Sequence, residues 1–183
     1  MTGMKGVLAA GALGILAACG AGMGAQGSPQ PRAFSTPIYD AAGNTVGQLT
    51  LTQQGRDSVR VTVESTRLPA GVHGTHLHTT GRCDPPGFTT AGGHLNPTAR
   101  QHGTRNPRGP HLGDLPNLTV GANGQGEIET VKEGVTLRRA NPLLKQGGTA
   151  LVIHATADDY RTDPSGNSGA RIACGVITEQ TEA

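Results

Sequence analysis

Short segments in which apolar and polar residues alternate dominate the chain from residue 33 onward. In residues 58–64, three valines alternate with polar side chains, which is the period of a half-buried β-strand. Residues 150–153 are apolar and lead into His154, so this segment predicts a strand that is buried on both faces. The same reasoning predicts strands at residues 45–51, 72–78, 117–120, 127–131 and 170–177.

The segments between these strands are rich in turn-forming residues. The 183-residue chain has 29 glycines and 12 prolines, only 15% charged residues and no tryptophan, which suits an all-β domain with long ordered loops. Residues 79–115 are the longest such segment and show no periodicity. A loop of this length needs something to order it, and metal coordination is the first candidate. We therefore predict a β-sandwich or barrel.

The N-terminus indicates export. Lys5 precedes an uncharged stretch, residues 6–18, which is too short to span a bilayer and is typical of a signal peptide. Residues 16–19 (LAAC) resemble the bacterial lipobox, whose cysteine carries lipid; an ordinary signal peptide with an incidental Cys19 is the alternative. We expect a signal peptide at 1–18, a flexible tether at 19–32 and a domain at 33–183, anchored to a cell-envelope membrane through Cys19.

Cysteine usage agrees with this location, whereas net charge adds nothing about partners. The chain has three cysteines. Lipid on Cys19 leaves Cys83 and Cys174, which can form a disulfide in an oxidising compartment or stay two separate buried thiols. The formal net charge of +2 names no partner, and no basic run with interleaved aromatic residues indicates nucleic acid.

Histidine carries the candidate chemistry of this sequence. His76 and His78 occupy alternate positions of a predicted strand, so both imidazoles can face one ion. The long loop adds three imidazoles and a carboxylate, a donor set that suits zinc, and imidazole-rich sites also suit copper. Any one of these residues alone is more often a hydrogen-bonded or solvated side chain, so the prediction depends on their occurrence together. The other candidates are His94, His102, His111, Asp114 and His154.

Five segments of the chain resemble the signatures of the copper/zinc superoxide dismutase family. The resemblance covers about residues 33–178, and both residues and spacings agree. It implies an all-β fold, a Greek-key β-sandwich or flattened barrel of about eight antiparallel strands, with two long functional loops and an immunoglobulin-like sandwich architecture. The segments are 71–78 (GVHGTHLH), 91–97 (AGGHLNP), 109–116 (GPHLGDLP), 150–159 (ALVIHATADD) and 166–177 (GNSGARIACGVI).

The resemblance also implies two metal sites that share one imidazole. The deprotonated ring of His94 would bridge copper and zinc and take part in catalysis, together with Arg171, which would attract the anionic substrate. The implied copper ligands are His76, His78, His94 and His154. The implied zinc ligands are His94, His102, His111 and Asp114.

Residues around the metals have implied roles as well. Asp158 would hydrogen-bond one copper ligand and one zinc ligand and fix their orientation, whereas His73 would hold loop backbone instead of metal. Cys83 and Cys174 match the intrasubunit disulfide of the family. The channel loop, residues 155–170, looks short, so Arg171 is expected to provide most of the attraction for anions. The resemblance leaves a homodimer open.

The implied reaction is the dismutation of superoxide to oxygen and hydrogen peroxide, as an antioxidant defence at the cell envelope. Copper would cycle between Cu(II) and Cu(I), His94 would deliver a proton, and zinc would hold the site in place. A non-enzymatic copper or zinc buffer of the envelope is the main alternative, but such proteins usually have repetitive histidine and methionine tracts, unlike this chain. A copper-delivery protein on the same fold would need a cysteine transfer motif, and the sequence has none.

Overall fold

The computed structural model describes residues 1–3, 32–138 and 142–178. The predicted signal peptide beyond its first three residues, Cys19 and nearly all of the predicted tether lie outside the described residues. The chain divides into two units, residues 1–30 and 31–183, and the fold given below is that of the second unit. Within the described ranges, no helix has the length and apolar character needed to cross a bilayer.

Nine strands and one short 3-10 helix build the described part of this unit, which confirms the predicted all-β class. The strands are Ala33–Asp40 (β1), Thr45–Gln53 (β2), Ser58–Ser65 (β3), Gly71–His73 (β4), Thr75–His78 (β5), Leu118–Val120 (β6), Gly126–Glu133 (β7), Thr149–His154 (β8) and Arg171–Ile177 (β9), and the helix is Thr89–Ala91. The valines of β3 are fully buried, as their alternation predicts, and every residue of β8 is buried.

Seven strands form one antiparallel sheet in the order β5-β8-β9-β1-β2-β3-β7, while β4 pairs with β6. The large sheet curls around a core of valine, leucine and isoleucine side chains, as the natural twist of strands allows. Strands β1, β2 and β3 follow one another directly. Two long connections, residues 79–117 between β5 and β6 and residues 155–170 between β8 and β9, carry most of the candidate site.

Strand β1 is not predicted by the sequence pattern, because Pro37 interrupts a weakly alternating segment. The strand forms through pairing with β2 along nearly its whole length. On its other side, β1 pairs with β9 only at Tyr39 and Asp40. Among the described residues, Pro37 therefore has no pairing residue on the β9 side, and proline is tolerated where a strand is not paired.

Gly74 divides the predicted strand 72–78 into β4 and β5. Its N–H donates to the carbonyl of Thr156, and its own carbonyl accepts from the N–H of His154, both at 2.8 Å. A Cβ atom at this position would lie 2.7 Å from Cβ of Ser168, so the close approach of the 155–170 loop requires glycine here. The division lets β4 pair with β6 while β5 pairs with β8.

Backbone hydrogen bonds tie the 79–117 loop to β5. Leu77 N donates to Gly113 O, Gly113 N donates to Leu95 O, and Leu95 N donates to Leu77 O, each at 2.8 Å. These three bonds place two distant parts of the loop side by side next to His76 and His78. The loop is therefore ordered by its backbone as well as by the side chains described below.

Candidate metal centre

Strands β5 and β8 place three histidines side by side. His76 and His78 lie two residues apart on β5, His154 is the last residue of β8, and all three are buried. The 79–117 loop adds His94, which pairs with His78 through an isolated backbone bridge. The ring centroid of His76 lies 4.0 Å from that of His94 and 4.9 Å from that of His154. The structure thus brings together all four predicted copper ligands, which we call the first cluster.

Each ring of the first cluster has one buried nitrogen without a hydrogen-bond partner among the described residues. These atoms are His76 Nδ1, His78 Nε2, His94 Nε2 and His154 Nε2. One ligand atom from each of the four residues lies within 4.8 Å of the others. Buried polar atoms normally have a partner, so four unpartnered imidazole nitrogens in one place fit a metal ion that prefers nitrogen ligands, such as copper.

The opposite ring nitrogens of two of these histidines fix the tautomer. His78 Nδ1 donates to the carbonyl of Gly92 at 2.9 Å, and His154 Nδ1 donates to the carbonyl of Gly169 at 3.1 Å. Because a carbonyl can only accept, the proton of each neutral ring lies on Nδ1 and the lone pair on Nε2. The lone pairs therefore lie on the unpartnered nitrogens.

Burial keeps these histidines neutral. Desolvation lowers the pKa of His76 to about 3, although its hydrogen bond to Asp158 acts in the opposite direction. Desolvation, assisted by the neighbouring His94, lowers the pKa of His78 to about 2, and desolvation lowers the pKa of His154 to about 4. Since neutral imidazole is the form that binds metal, these three rings are ready to bind at neutral pH.

A second cluster surrounds the carboxylate of Asp114. Its Oδ1 lies 3.0 Å from His94 Nδ1, 3.0 Å from His102 Nδ1 and 3.4 Å from His111 Nδ1. The Nδ1 atoms of His94 and His111 are 3.3 Å apart. Four ligands at about 2.0–2.1 Å from a tetrahedral zinc ion would be about 3.3 Å from one another. The three distances from Asp114 Oδ1 and the distance between the His94 and His111 rings are close to this spacing.

His94 has one ring nitrogen in each cluster, Nε2 in the first and Nδ1 in the second. This is the arrangement that a bridging imidazole requires. The donors around Asp114 that all lie within 4.8 Å of one another are those of His76, His94, His102 and Asp114, a set without His111. His76 Nε2, however, is bonded to Asp158 at 3.0 Å, and its Nδ1 belongs to the first cluster, so we assign His111 to the second cluster.

His102 lies between two carboxylates. Its Nδ1 is 3.0 Å from Asp114 Oδ1, and its Nε2 is 2.9 Å from Asp158 Oδ1. Burial opposes a charge on this ring, but the two hydrogen bonds outweigh burial and raise the pKa of His102 to about 9. Against the effect of burial, the same bonds hold the pKa values of both carboxylates below their usual range. A proton on His102 therefore competes with metal for this cluster.

Asp158 connects the two clusters from outside. His76 Nε2 donates to its Oδ2 at 3.0 Å, and His102 Nε2 donates to its Oδ1 at 2.9 Å. Both are ring nitrogens that face away from the clusters, so one carboxylate orients a ring of each. Gly166 permits this contact: it has φ +67°, and a Cβ there would lie 1.8 Å from Asp158 Oδ1. Sequence reasoning missed Gly166, because it looks like any turn glycine.

His73 lies outside both clusters, as its predicted role implies. Its Nδ1 is 2.8 Å from the carbonyl oxygen of His154, and its Nε2 is 2.9 Å from that of Pro69. The ring therefore connects the end of β8 with the chain just before β4. This is a contact with backbone and not with a metal-binding position.

A cavity of about 480 Å³ lies beside the first cluster, and His78, His154 and Arg171 are among its lining residues. Arg171 Nη1 donates to the carbonyl of Phe88 and Nη2 donates to that of Gly92, both at 2.7 Å. These bonds hold the guanidinium in one orientation. Burial lowers the pKa of Arg171 from its usual value, but arginine stays charged at neutral pH. The cavity therefore presents a fixed positive charge next to the imidazoles.

The cavity has a second arginine that sequence reasoning missed. Arg100 lines it, and both Nε and Nη2 of Arg100 donate to the carbonyl of Gly109, at 3.0 and 2.5 Å. Asp163 lines the cavity as well. The loop shows no periodicity, so no pattern separates Arg100 from an exposed neighbour such as Arg108. Arg100 therefore qualifies the expectation that Arg171 provides most of the attraction for anions.

Cys83 and Cys174 form the predicted disulfide, with Cα atoms 5.7 Å apart, inside the usual range. Cys174 is fully buried on β9 and packs in a small core that includes Phe88. The bond fixes the start of the 79–117 loop to β9. The segment just after Cys83 supplies both carbonyls that hold Arg171, those of Phe88 and Gly92.

These features define a class: a disulfide-linked antiparallel β-barrel with two adjacent clusters of side chains that could bind metal. One cluster is made of imidazoles, the other of imidazoles with a carboxylate, and His94 has one ring nitrogen in each. A family model described as copper/zinc superoxide dismutase (SODC) matches residues 45–177. The chain therefore belongs to the copper/zinc superoxide dismutase family. The predicted family, its enzyme class and its metals, copper and zinc, are confirmed.

Relatives and solved structures agree with this assignment. The chain is 43% identical to superoxide dismutase (Cu-Zn) 1 of Aquifex aeolicus over 143 residues, which is 76% of this chain and 84% of the relative. The crystal structure of a SOD-like protein from Bacillus subtilis has a TM-score of 0.73 at 36% identity, covering 78% of this chain and 97% of that one. Cu/Zn superoxide dismutase from Brucella abortus has a TM-score of 0.65 at 29% identity, with 80% and 99% covered.

Proposed function

We propose that this protein catalyses the dismutation of superoxide, in which two superoxide ions and two protons give one molecule of oxygen and one of hydrogen peroxide. The first cluster would hold copper and the second zinc. The observation that carries the proposal is the convergence of four buried, unpartnered imidazole nitrogens beside a cavity that presents arginine side chains.

The side chains of the chain supply binding, orientation and a proton. Bound copper would supply what these side chains lack, a one-electron exchange with each superoxide ion as it alternates between Cu(II) and Cu(I). His94 would offer one ring nitrogen to each metal site. When its Nε2 is not bound to metal, that atom would hold the proton that is passed to the product peroxide, while its Nδ1 stays beside Asp114. His78 and His154 keep their orientation through the carbonyls of Gly92 and Gly169.

The two arginines would attract and place the substrate. Superoxide is small and singly charged, so its shape offers little for recognition. A cleft that presents positive charge concentrates the electric field and raises the capture rate of an anion. Arg171 provides a rigidly held guanidinium close to the first cluster, and Arg100 adds a second positive charge in the same cavity, which Asp163 partly offsets.

A non-enzymatic metal-binding protein of the envelope is the alternative. Such a protein would need the two clusters, but it would need neither a cavity beside the first cluster nor a guanidinium held there by two backbone carbonyls. Both features are present in the described residues. They favour an enzyme over a metal buffer.

Replacement of one first-cluster residue tests the ligand assignment. His154→Ala removes one of the four unpartnered nitrogens and leaves every side chain of the second cluster in place. Copper content and superoxide consumption should both be lost while most zinc is kept. Lys145→Ala, at an exposed position, is the control. Normal copper content and a full rate in His154→Ala would refute the assignment.

We further infer that the protein is exported and anchored through lipid on Cys19 to a cell-envelope membrane, on its periplasmic or extracytoplasmic face. Residues 16–19 support this inference, and the Cys83–Cys174 disulfide suits an oxidising compartment. Cys19→Ser should abolish incorporation of labelled fatty acid without changing metal content, and label on that variant would contradict the inference. The homodimer stays a prediction, which sedimentation of the mature protein would test.

A further inference from the structure

The backbone carbonyl of Asp114 accepts a hydrogen bond that the two clusters do not explain. Lys132 Nζ donates to this oxygen at 2.9 Å. Lys132 lies on the more buried face of β7, between the exposed residues Val131 and Glu133. Taking an ammonium group out of water is costly unless a partner compensates. The bond to Asp114 therefore indicates a specific role for this lysine.

The bond connects the two edges of the large sheet. Strands β5 and β7 are the end strands in its order. Asp114 faces His76 of β5 in an isolated bridge, and next to it Leu77 N donates to Gly113 O at 2.8 Å. The carbonyl of Asp114 accepts its bond from β7 instead. Lys132 thus joins the opposite edge strand to the backbone of a second-cluster residue.

We propose that Lys132 is a positioning residue for the metal of the second cluster, because its ammonium group fixes the backbone from which the Asp114 carboxylate projects. Other bonds set the direction of that carboxylate: its Oδ2 accepts from the N–H of Gly103 at 2.9 Å and from the N–H of His111 at 3.0 Å. Both donors lie in the 79–117 loop, so Lys132 is the contact that relates Asp114 to β7 of the barrel. The proposal rests on the proposed function only in treating this cluster as a zinc site.

Lys132→Met tests the role, because methionine has a similar length but neither the charge nor the donor. Zinc should pass from the zinc-loaded variant to a chromogenic chelator roughly tenfold faster than from the native protein, at the low end of the effect of outer partners on metal ligands. Lys145→Met makes the same substitution at an exposed position and should release zinc at the native rate. The readout is zinc release and not superoxide consumption, so this proposal and the proposed function can fail separately.

Melting temperatures measured with and without zinc separate two possible roles of Lys132, positioning a metal ligand and packing the barrel. Zinc should raise the melting temperature of Lys132→Met by less than it raises that of the native protein. A native rate of zinc release would overturn the proposal, even if the metal-free variant melts lower, because Lys132 would then only pack the barrel. If Lys132→Met does not fold, Lys132→Leu gives the same comparison, since leucine also has neither the charge nor a donor. Zinc release must then still exceed the native rate, and a native rate would overturn the proposal.

Discussion

Arg171 and His78 share one hydrogen-bond acceptor, the carbonyl oxygen of Gly92. His78 Nδ1 lies 2.9 Å and Arg171 Nη2 lies 2.7 Å from this oxygen. One atom therefore fixes both the tautomer of a first-cluster histidine and the orientation of the guanidinium in the cavity. Gly92 lies nine residues after Cys83, which is bonded to Cys174. Under the proposed function, a group that binds metal and a group that attracts substrate would therefore depend on the same covalent link.

Removal of that link should affect stability and catalysis together. The disulfide spans 91 positions of sequence, and Cys174→Ser should lower the free energy of unfolding by about 2–5 kcal/mol. We also expect weaker zinc retention, and slower superoxide consumption at equal copper content, because the Gly92 carbonyl is held less firmly. Denaturant unfolding with and without a reductant is the measurement. Native protein that unfolds identically under both conditions would contradict the bond.

Substitution of Arg171 should reveal attraction by charge. Arg171→Ala should slow superoxide consumption by roughly tenfold, at the low end of what charge steering contributes, and Arg171→Glu by more. The rate of Arg171→Lys should lie between the rates of Arg171→Ala and the native protein, because lysine keeps the charge but not the planar fork of hydrogen-bond donors. The native rate should fall as ionic strength rises, because the Debye length is only about 10 Å at 0.1 M. The slope should be shallower in Arg171→Ala.

Metal analysis of every Arg171 variant is the control, because a rate that falls with lost copper says nothing about steering. Rates should be compared only between samples with equal copper and zinc content. Fully metallated Arg171→Glu that matched the native rate at low salt would end the proposed role of this residue.

Charge reversal at Arg100 and at Arg108 distinguishes the effect of a charge inside the cavity from the effect of the net charge of the protein. Arg100 and Arg108 are both exposed and lie in the same loop, but only Arg100 is among the residues that line the cavity. Arg100→Glu should slow superoxide consumption, by less than the corresponding change at Arg171, whereas Arg108→Glu should stay near the native rate. Equal losses in both variants would mean that overall charge, and not the cavity, controls capture of the anion.

His102 should make the stability of the metal-free protein depend on pH. Its pKa rises from 6.5 to about 9 on folding, where hydrogen bonds to Asp114 and Asp158 outweigh burial. Protonated His102 contributes its full stabilisation of the fold below pH 6.5, and this contribution is lost as the pH rises through about 9. The lowered pKa values of His76, His78 and His154 change the stability of the fold only below pH 6.5, so they do not alter its pH dependence between 6.5 and about 9.

The free energy of unfolding of the metal-free native protein should therefore fall between pH 6.5 and 9. His102→Gln, which cannot bind the proton, should show a flatter profile over the same range. Chemical denaturation at several pH values provides the comparison. The same slope in both proteins would show that His102 is not the titrating group.

The sequence could place the candidate histidines of regular strands, whereas it could name candidates in the loops without placing them. The alternation at β5 and the apolar run of β8 put His76, His78 and His154 on recognisable strands. The roles of Arg100, Lys132 and Gly166 depend on the three-dimensional path of the two long connections, which leaves no periodic signal. Residue type alone made His94, His102, His111 and Asp114 candidates, and the family resemblance assigned them to two sites. An arginine in an irregular loop or a lysine on an alternating strand gives no such signal.

Superoxide decay in the presence of fully metallated native protein is the decisive measurement. The protein would be loaded with copper and zinc, both metals quantified in the same sample, and the decay of superoxide followed by stopped-flow absorbance. Protein loaded with zinc alone is the control, because it keeps the second cluster without a redox-active metal. We predict one copper and one zinc per chain, and a decay rate that rises in proportion to the concentration of the copper-loaded protein while the control stays at the spontaneous rate. Full loading with both metals and a decay no faster than in the control would contradict an enzyme and leave a metal-binding protein.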